Sequence, residues 1–160
     1  ESVGGGIGRI ETSGVQVIWQ TGSHWYDRMR DKAEAEGVTR IRVTGFINRM
    51  DLAYAAADVI ISRAGAGTIS ELALVGKPVI LVPSPNVAED HQTHNAMALV
   101  NHGAALLVRD ADAREQLIET ALELVGDSAK RSSLSENIRK MAIRNADEVI
   151  AGEVLKMIKR

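Results

Sequence analysis

Cysteine is absent from the 160 residues, so disulfides and thiolate chemistry are excluded, and nothing points to an oxidising compartment. A cytosolic setting is expected. Aromatic residues make up 3% of the chain; Trp19, Trp25 and Tyr26 are too few, and too close to core positions, to form a stacking platform. No apolar run approaches the roughly 18 residues that span a bilayer, and the first residues lack a charged segment followed by an apolar one. The chain as given reads as soluble and without an export signal. Charge of one sign is also lacking: the formal net charge is −2 and the pI is near 6.1, with acidic and basic residues interspersed. No field for wrapping a polyanion results, and nucleic acid is not an expected partner.

What is present is an alternation of short β-branched runs with helical periodicity, in a length that suits one domain with a sizeable core. Val15–Gln20 reads as a strand, followed at Ser23 by a helix that Ser23 caps and that ends before Gly37. Ile41–Val43 is the next strand, and Asp51 is placed to cap a short helix over Leu52–Ala57. Strand Asp58–Ser62, a small-residue turn Arg63–Gly67, helix Thr68–Val75 closed by Gly76, and strand Pro78–Val82 follow. The polar run Glu89–Asn95 opens another helix, Ala104–Val108 makes a fifth strand, and Arg114–Val125 a helix ended by Gly126; two further helices finish the chain. Strands apolar on both faces and alternating with helices imply a parallel sheet covered on each side, an α/β Rossmann-like fold. Ligands of such folds sit beyond the carboxyl ends of the strands. Five loops therefore share one edge: Gln20–Ser23, Gly45–Met50, Arg63–Thr68, Pro83–Gln92 and Arg109–Ala113.

Gly4-Gly5-Gly6-Ile7-Gly8 has the glycine content of a phosphate loop but no strand before it, so it reads as a frayed or poorly helical lead segment. Gly65-Ala66-Gly67-Thr68 is better placed: free backbone N–H groups at a helix start suit a diphosphate, although many βα turns contain glycine and bind nothing. Glu71, one turn further in, either accepts from a ribose diol or is a first-turn acid favoured by the helix dipole. His91 and His94 lie three apart without a third ligand of fitting spacing, so no metal is expected. Gln92 and Asn95 offer donors and acceptors suited to sugar hydroxyls, or are a solvated helix start. Asp110 and Asp112 have the look of a metal-holding acidic pair, but they directly precede a helix, where Asp112 is an ordinary cap.

Together, Trp19–Gly22, Gly45–Met50, Ala53–Asp58, Ser62–Glu71, Gly76–Pro78 and Asp90-His91-Gln92 with Asn95-Ala96 resemble the MurG family, bacterial undecaprenyl-diphospho-muramoylpentapeptide β-N-acetylglucosaminyltransferases. The resemblance runs in order and spacing from Trp19 to Val108. It implies a two-domain GT-B architecture of which residues 1–160 are the C-terminal, UDP-sugar-binding domain, lacking its first strand and phosphate loop. By the same resemblance, Ile47 meets uracil through its backbone, with Phe46 beside it. Ala66, Gly67 and Thr68, with Ile69 and Ser70 in the same turn, meet the α-phosphate and sugar; Glu71 takes the ribose hydroxyls. Gln92 and Asn95 hold the GlcNAc hydroxyls, and Arg63, Gly65 and His91 are further candidates around them. The implied reaction moves GlcNAc from UDP-GlcNAc to the C4 hydroxyl of the lipid-linked muramoyl residue, with inversion and without a metal or other cofactor. The acceptor lipid, the catalytic base and the contact with the cytoplasmic face of the inner membrane are expected from an N-terminal domain, so this chain alone is expected to be inactive. Two rivals are a non-catalytic nucleotide-sugar-binding subunit of a split, membrane-docked transferase and a GT-B enzyme using another UDP-hexose. Loss of a central strand is expected to leave open sheet edges.

Overall fold

The computed structural model describes residues 2–86 and 90–158. The chain begins with two short helices, α1 (Ser2–Gly5) and α2 (Ile7–Ser13), and then alternates: β1 (Val17–Gln20), α3 (Ser23–Ala35), β2 (Ile41–Thr44), α4 (Met50–Ala56), β3 (Ile60–Ser62), α5 (Ala66–Val75), β4 (Val79–Leu81), α6 (His91–Val100) and β5 (Leu106–Leu107). Three helices close it: α7 (Ala113–Gly126), α8 (Ser128–Lys140) and α9 (Ala146–Ile158). Glu1 and Glu89, both quoted in the sequence reading, lie outside the described residues, as does the middle of the Pro83–Gln92 loop.

Every strand pairing among the described residues is parallel, as the alternation requires. The sheet is not continuous, however. β1 pairs with β2 in the register Val17↔Ile41 to Gln20↔Thr44, while β3, β4 and β5 form a separate sheet in the register Ile60↔Val79 and Ile80↔Leu106. Among the described residues no strand joins β1 to β3. Two apolar strand residues are left in solvent, Ile18 at 52% and Ile61 at 39% exposure, so part of each sheet's face is uncovered.

β4 is buried on both faces, which is why its three residues are all β-branched or leucine. Val79 and Leu81 point into a cluster with Leu72, Ala96, Leu99 and Ile138. Ile80, between them, joins Leu117, Leu124 and Leu134 on the other face. A third cluster, Ile7, Ile10, Ile41 and Ile118, sits under β1 and β2. Each fully buried aliphatic side chain contributes about 1.5–3 kcal/mol.

Several expectations are corrected here. The glycine-rich lead segment is helical and packed, because Ile7 and Ile10 are buried. Ser23 and Asp51 do not cap: α3 follows Gly22, α4 follows Arg49, and neither start has a side-chain cap. Gly22 adopts φ +78, so the chain reverses at the glycine and brings Ser23 inside the helix. Asp51 lies in the first turn of α4 and pairs with Arg49 instead. α5 begins at Ala66, two residues early, which places Gly67 in its first turn. The fifth strand pairs only over Leu106–Leu107, although Ala104, Ala105 and Val108 are buried around it. A cap that the sequence reading passed over is Asp127, whose Oδ1 accepts from Lys130 N at 2.8 Å at the start of α8.

Candidate functional site

The carboxyl ends of β3 and β4 are tied to α6 through one buried peptide. Ala64 is fully buried; its N–H donates to Gln92 Oε1 at 3.3 Å, and its carbonyl accepts from Asn95 Nδ2 at 3.1 Å. Gln92 Oε1 also accepts from Ser84 N at 2.9 Å. The two amides thus pin the turn that feeds α5 against the loop after β4, which satisfies polar groups that burial would otherwise strand. Gln92 Nε2 and Asn95 Oδ1 have no partner among the described residues. Arg63 acts in the same place: Nη1 lies 3.1 Å from Val82 O, 3.2 Å from Pro83 O and 2.5 Å from Asp110 Oδ1. Three of the five loops are drawn together by these contacts. Asp110 is therefore an ion-pair partner of Arg63, and Asp112 stands at the N-cap of α7 without making a side-chain cap. Among the described residues no three His, Asp or Glu side chains converge as a metal site.

Gly65 precedes α5 in an extended conformation with no side-chain cap, and the first intrahelical bond runs from Ile69 N to Gly65 O at 2.9 Å. The N–H groups of Ala66, Gly67 and Thr68 come before it and lack intrahelical partners. Ala66 and Gly67 are exposed, and a Cβ added to Gly67 would meet nothing within 4 Å, so the backbone there is open to an approaching ligand. With no acidic residue in the first turn, the positive end of the helix dipole is uncompensated and attracts an anion. Ser70 Oγ returns to Ala66 O at 3.2 Å. Ile69 is half-buried against the core around β4. Glu71 is exposed one turn in, and Tyr54 of α4 reaches its Oε2 at 3.5 Å. Burial, and then the Glu71 carboxylate, push the Tyr54 phenol above its ordinary pKa.

At the ends of β1 and β2, Ile47 N donates to Gln20 Oε1 at 2.9 Å, and Thr44 Oγ1 donates to Phe46 O at 2.9 Å. The Phe46 ring is 70% exposed. The backbone N–H of Ile47, assigned to a base by resemblance, is already engaged, while its carbonyl accepts no bond among the described residues. His91 is the first residue of α6 and is exposed. Gln92 and Asn95 hold Ala64, which lies between Arg63 and the Gly65–Thr68 turn in the chain; Ile47 and Phe46 belong to the loops after β1 and β2. Gln20 and Tyr54 were not singled out in the sequence as site partners, and Asp110 was weighed only as half of an acidic pair, not as the partner of Arg63. For Gln20 and Asp110 the available signal was position, each standing at or just past the carboxyl end of a strand.

Parallel strands with helices between them, and a ligand-ready edge at the strand carboxyl ends, define a domain of the doubly wound nucleotide-binding class. More specifically, the chain belongs to the glycosyltransferase family 28 C-terminal domain family, whose model matches residues 3–150. It is 49% identical over 98% of its length to the UDP-N-acetylglucosamine–N-acetylmuramyl-(pentapeptide) pyrophosphoryl-undecaprenol N-acetylglucosamine transferase of Parabacteroides distasonis. The Porphyromonas gingivalis transferase of the same name is 50% identical over 99% of it. The chain spans 43% and 42% of the lengths of these two relatives. Among solved structures, it is similar to the crystal structure of Acinetobacter baumannii MurG, with a TM-score of 0.84 and 27% identity over 98% of this chain and 45% of that one. The glycosyltransferase VinC, solved in complex with DTDP, shares the fold at a TM-score of 0.66 and 17% identity, over 88% of this chain and 33% of that one.

Proposed function

We propose that this chain is the donor-binding domain of an inverting transferase that moves GlcNAc from UDP-GlcNAc to the C4 hydroxyl of undecaprenyl-diphospho-muramoyl-pentapeptide in peptidoglycan synthesis. One observation carries the reading: the uncapped, glycine-lined start of α5 follows directly on Ala64, which Gln92 and Asn95 hold, and precedes the exposed Glu71 by one turn. As the bond to the anomeric carbon breaks, negative charge grows on the departing UDP. The N–H groups of Ala66, Gly67 and Thr68 are fixed dipoles that stabilise it, with no reorganisation needed at that moment. Glu71 accepts from the ribose diol. Nε2 of Gln92 and Oδ1 of Asn95, which have no partner among the described residues, face the sugar hydroxyls, and Ile47 and Phe46 take the base. None of these residues deprotonates the acceptor, so the base and the lipid-acceptor site belong to parts of the enzyme outside this chain. No helix among the described residues is long and apolar enough to cross a membrane, and we place the whole enzyme peripherally on the cytoplasmic face of the inner membrane.

The relatives carry this domain within single transferase chains more than twice its length, which favours the fused enzyme over the split-subunit reading. Calorimetry on a full-length transferase bearing this chain is the direct test. Glu71→Ala is expected to weaken UDP binding about tenfold, the loss of a charge-assisted hydrogen bond. Unchanged affinity removes Glu71 from the ribose. Equal affinity for UDP-GlcNAc and UDP-glucose removes the assigned sugar.

A further inference from the structure

At the opposite end of the sheet from α5's first turn lies a second hollow, of about 350 Å³, open to solvent. It sits at the amino ends of β3 and β4, since Asp58 and Pro78, just before those strands, are among its walls. Three cations line it, Lys77, Arg131 and Arg139. Lys77 donates to Ala55 O, at 3.2 Å; Arg131 donates to the carbonyls of Leu124 and Val125 at the end of α7. Arg139 makes neither a hydrogen bond nor an ion pair among the described residues. Among the described residues no carboxylate pairs with any of the three, and Asp58 is the single acid lining the hollow. Ser128, Ser132 and Ser135 add hydroxyls along one face of α8, none of them engaged in a side-chain hydrogen bond among the described residues.

The arrangement is built rather than incidental. A Cβ on Gly76, which sits at φ +68, would come within 2.5 Å of Arg139 Cγ and Nε. The Arg139 stem therefore lies against the Gly76 backbone, in space that a side chain at position 76 would claim. Unpaired cations held beside hydroxyl donors match an oxyanion with several oxygens. We propose that this hollow binds a phosphate group, carried either by a soluble phosphate or by a lipid headgroup, independently of the donor site.

The test uses the full chain titrated with inorganic phosphate and pyrophosphate, followed by backbone amide NMR, and sedimented with phosphatidylglycerol or phosphatidylcholine vesicles. Saturable shifts at Lys77, Ser132 and Ser135 are expected. Arg139→Gln should weaken them about tenfold, Arg139→Lys should restore part of the affinity, and Lys130→Gln, outside the hollow, should change nothing. Shifts with phosphate and no vesicle retention identify a soluble anion; retention on phosphatidylglycerol that Arg139→Gln abolishes identifies a headgroup. Shifts confined to Gly67 and Thr68, or equal binding by the Arg139→Gln variant in both arms, overturn the proposal. Because the readout is resolved by residue, failure here leaves the donor-site reading untouched, and the reverse also holds.

Discussion

Gln92 holds the turn before α5 with its oxygen, while its nitrogen has no partner among the described residues, so the two halves of one carboxamide can be tested separately for structure and recognition. Gln92→Ala leaves the N–H groups of Ala64 and Ser84 without their acceptor, at about 1–3 kcal/mol for each buried group. Gln92→Glu keeps an oxygen in place and removes the donor. The expected outcome is a thermal midpoint close to the parent's for Glu and clearly lowered for Ala, with weakened UDP-GlcNAc binding in both; a Glu variant that binds normally shows that Nε2 does not touch the sugar. The sequence pointed to Gln92 and Asn95 through resemblance and hydrogen-bonding capacity. Their grip on Ala64 was not readable, because it depends on that peptide being buried between two elements 28 residues apart in sequence. Glu11 supplies a pH prediction at the same scale. Its carboxylate accepts from Thr39 Oγ1 at 2.7 Å and from the N–H groups of Thr39 and Arg40, both at 3.0 Å, and the Thr39 hydroxyl, first among these, holds its pKa below the ordinary range. A carboxyl depressed in the folded state stabilises at pH above its unfolded value. That contribution is lost as pH falls from about 4.3 downward. Glu11→Gln should flatten the acid limb of a stability–pH curve measured by urea unfolding, and an identical acid limb in both proteins discards the linkage.

The lead segment shows how an element escapes propensity. Four glycines among Gly4–Gly8 argue against a helix at about 1 kcal/mol each relative to alanine, and on that ground the segment reads as poorly ordered. The structure uses the missing side chains for close approach. A Cβ on Gly6 would stand 2.4 Å from Ile118 Cγ1 of α7, so the break between α1 and α2 is the point where the chain backbone touches the core. Packing of Ile7 and Ile10 then outweighs the propensity cost, which no count of glycines reveals. Gly6→Ala should cost about 1–3 kcal/mol through overpacking, despite raising helix propensity. Ile118→Val in the same chain should recover part of the loss, measured as a non-additive double-mutant cycle. Additive effects place the strain elsewhere. The helix starts follow the same logic: Ser23 and Asp51 are good capping residues, but the glycine and arginine before them set the backbone, so local chemistry was right in kind and displaced in position. Helix ends at Gly76, with its left-handed φ of +68, and strand identities were readable, because each follows from a local period or a single residue's conformational range.

Across the whole molecule, alternation of strand and helix was enough to deduce parallel pairing, whereas the division into two sheets was not, since it depends on which strands find a partner. What joins the two halves is α7. Ile118 packs into the cluster under β1 and β2 with Ile7, Ile10 and Ile41, while Ala113, Leu117 and Leu124 of the same helix pack with Ile80 and Val82 beneath the other sheet. No strand pairing bridges β1 to β3 among the described residues, so cooperativity between the sheets passes through side chains, those of α7 with Val3 of α1 beside them, rather than through a hydrogen-bonded ladder. Removing Ile118 should therefore uncouple them. Ile118→Ala is expected to cost about 2–5 kcal/mol by leaving a cavity, and the cost should fall unevenly. Amide exchange at Ile18 and Trp19 in β1 and at Val43 in β2 should accelerate well beyond that at Ile80 and Leu81 in β4, which keep their own buried partners on both faces. Leu72→Ala, in the cluster on the far face of β4, should show the opposite preference. If both variants accelerate both sheets by the same factor, the two sheets open as a single cooperative unit and α7 is not the joint between them.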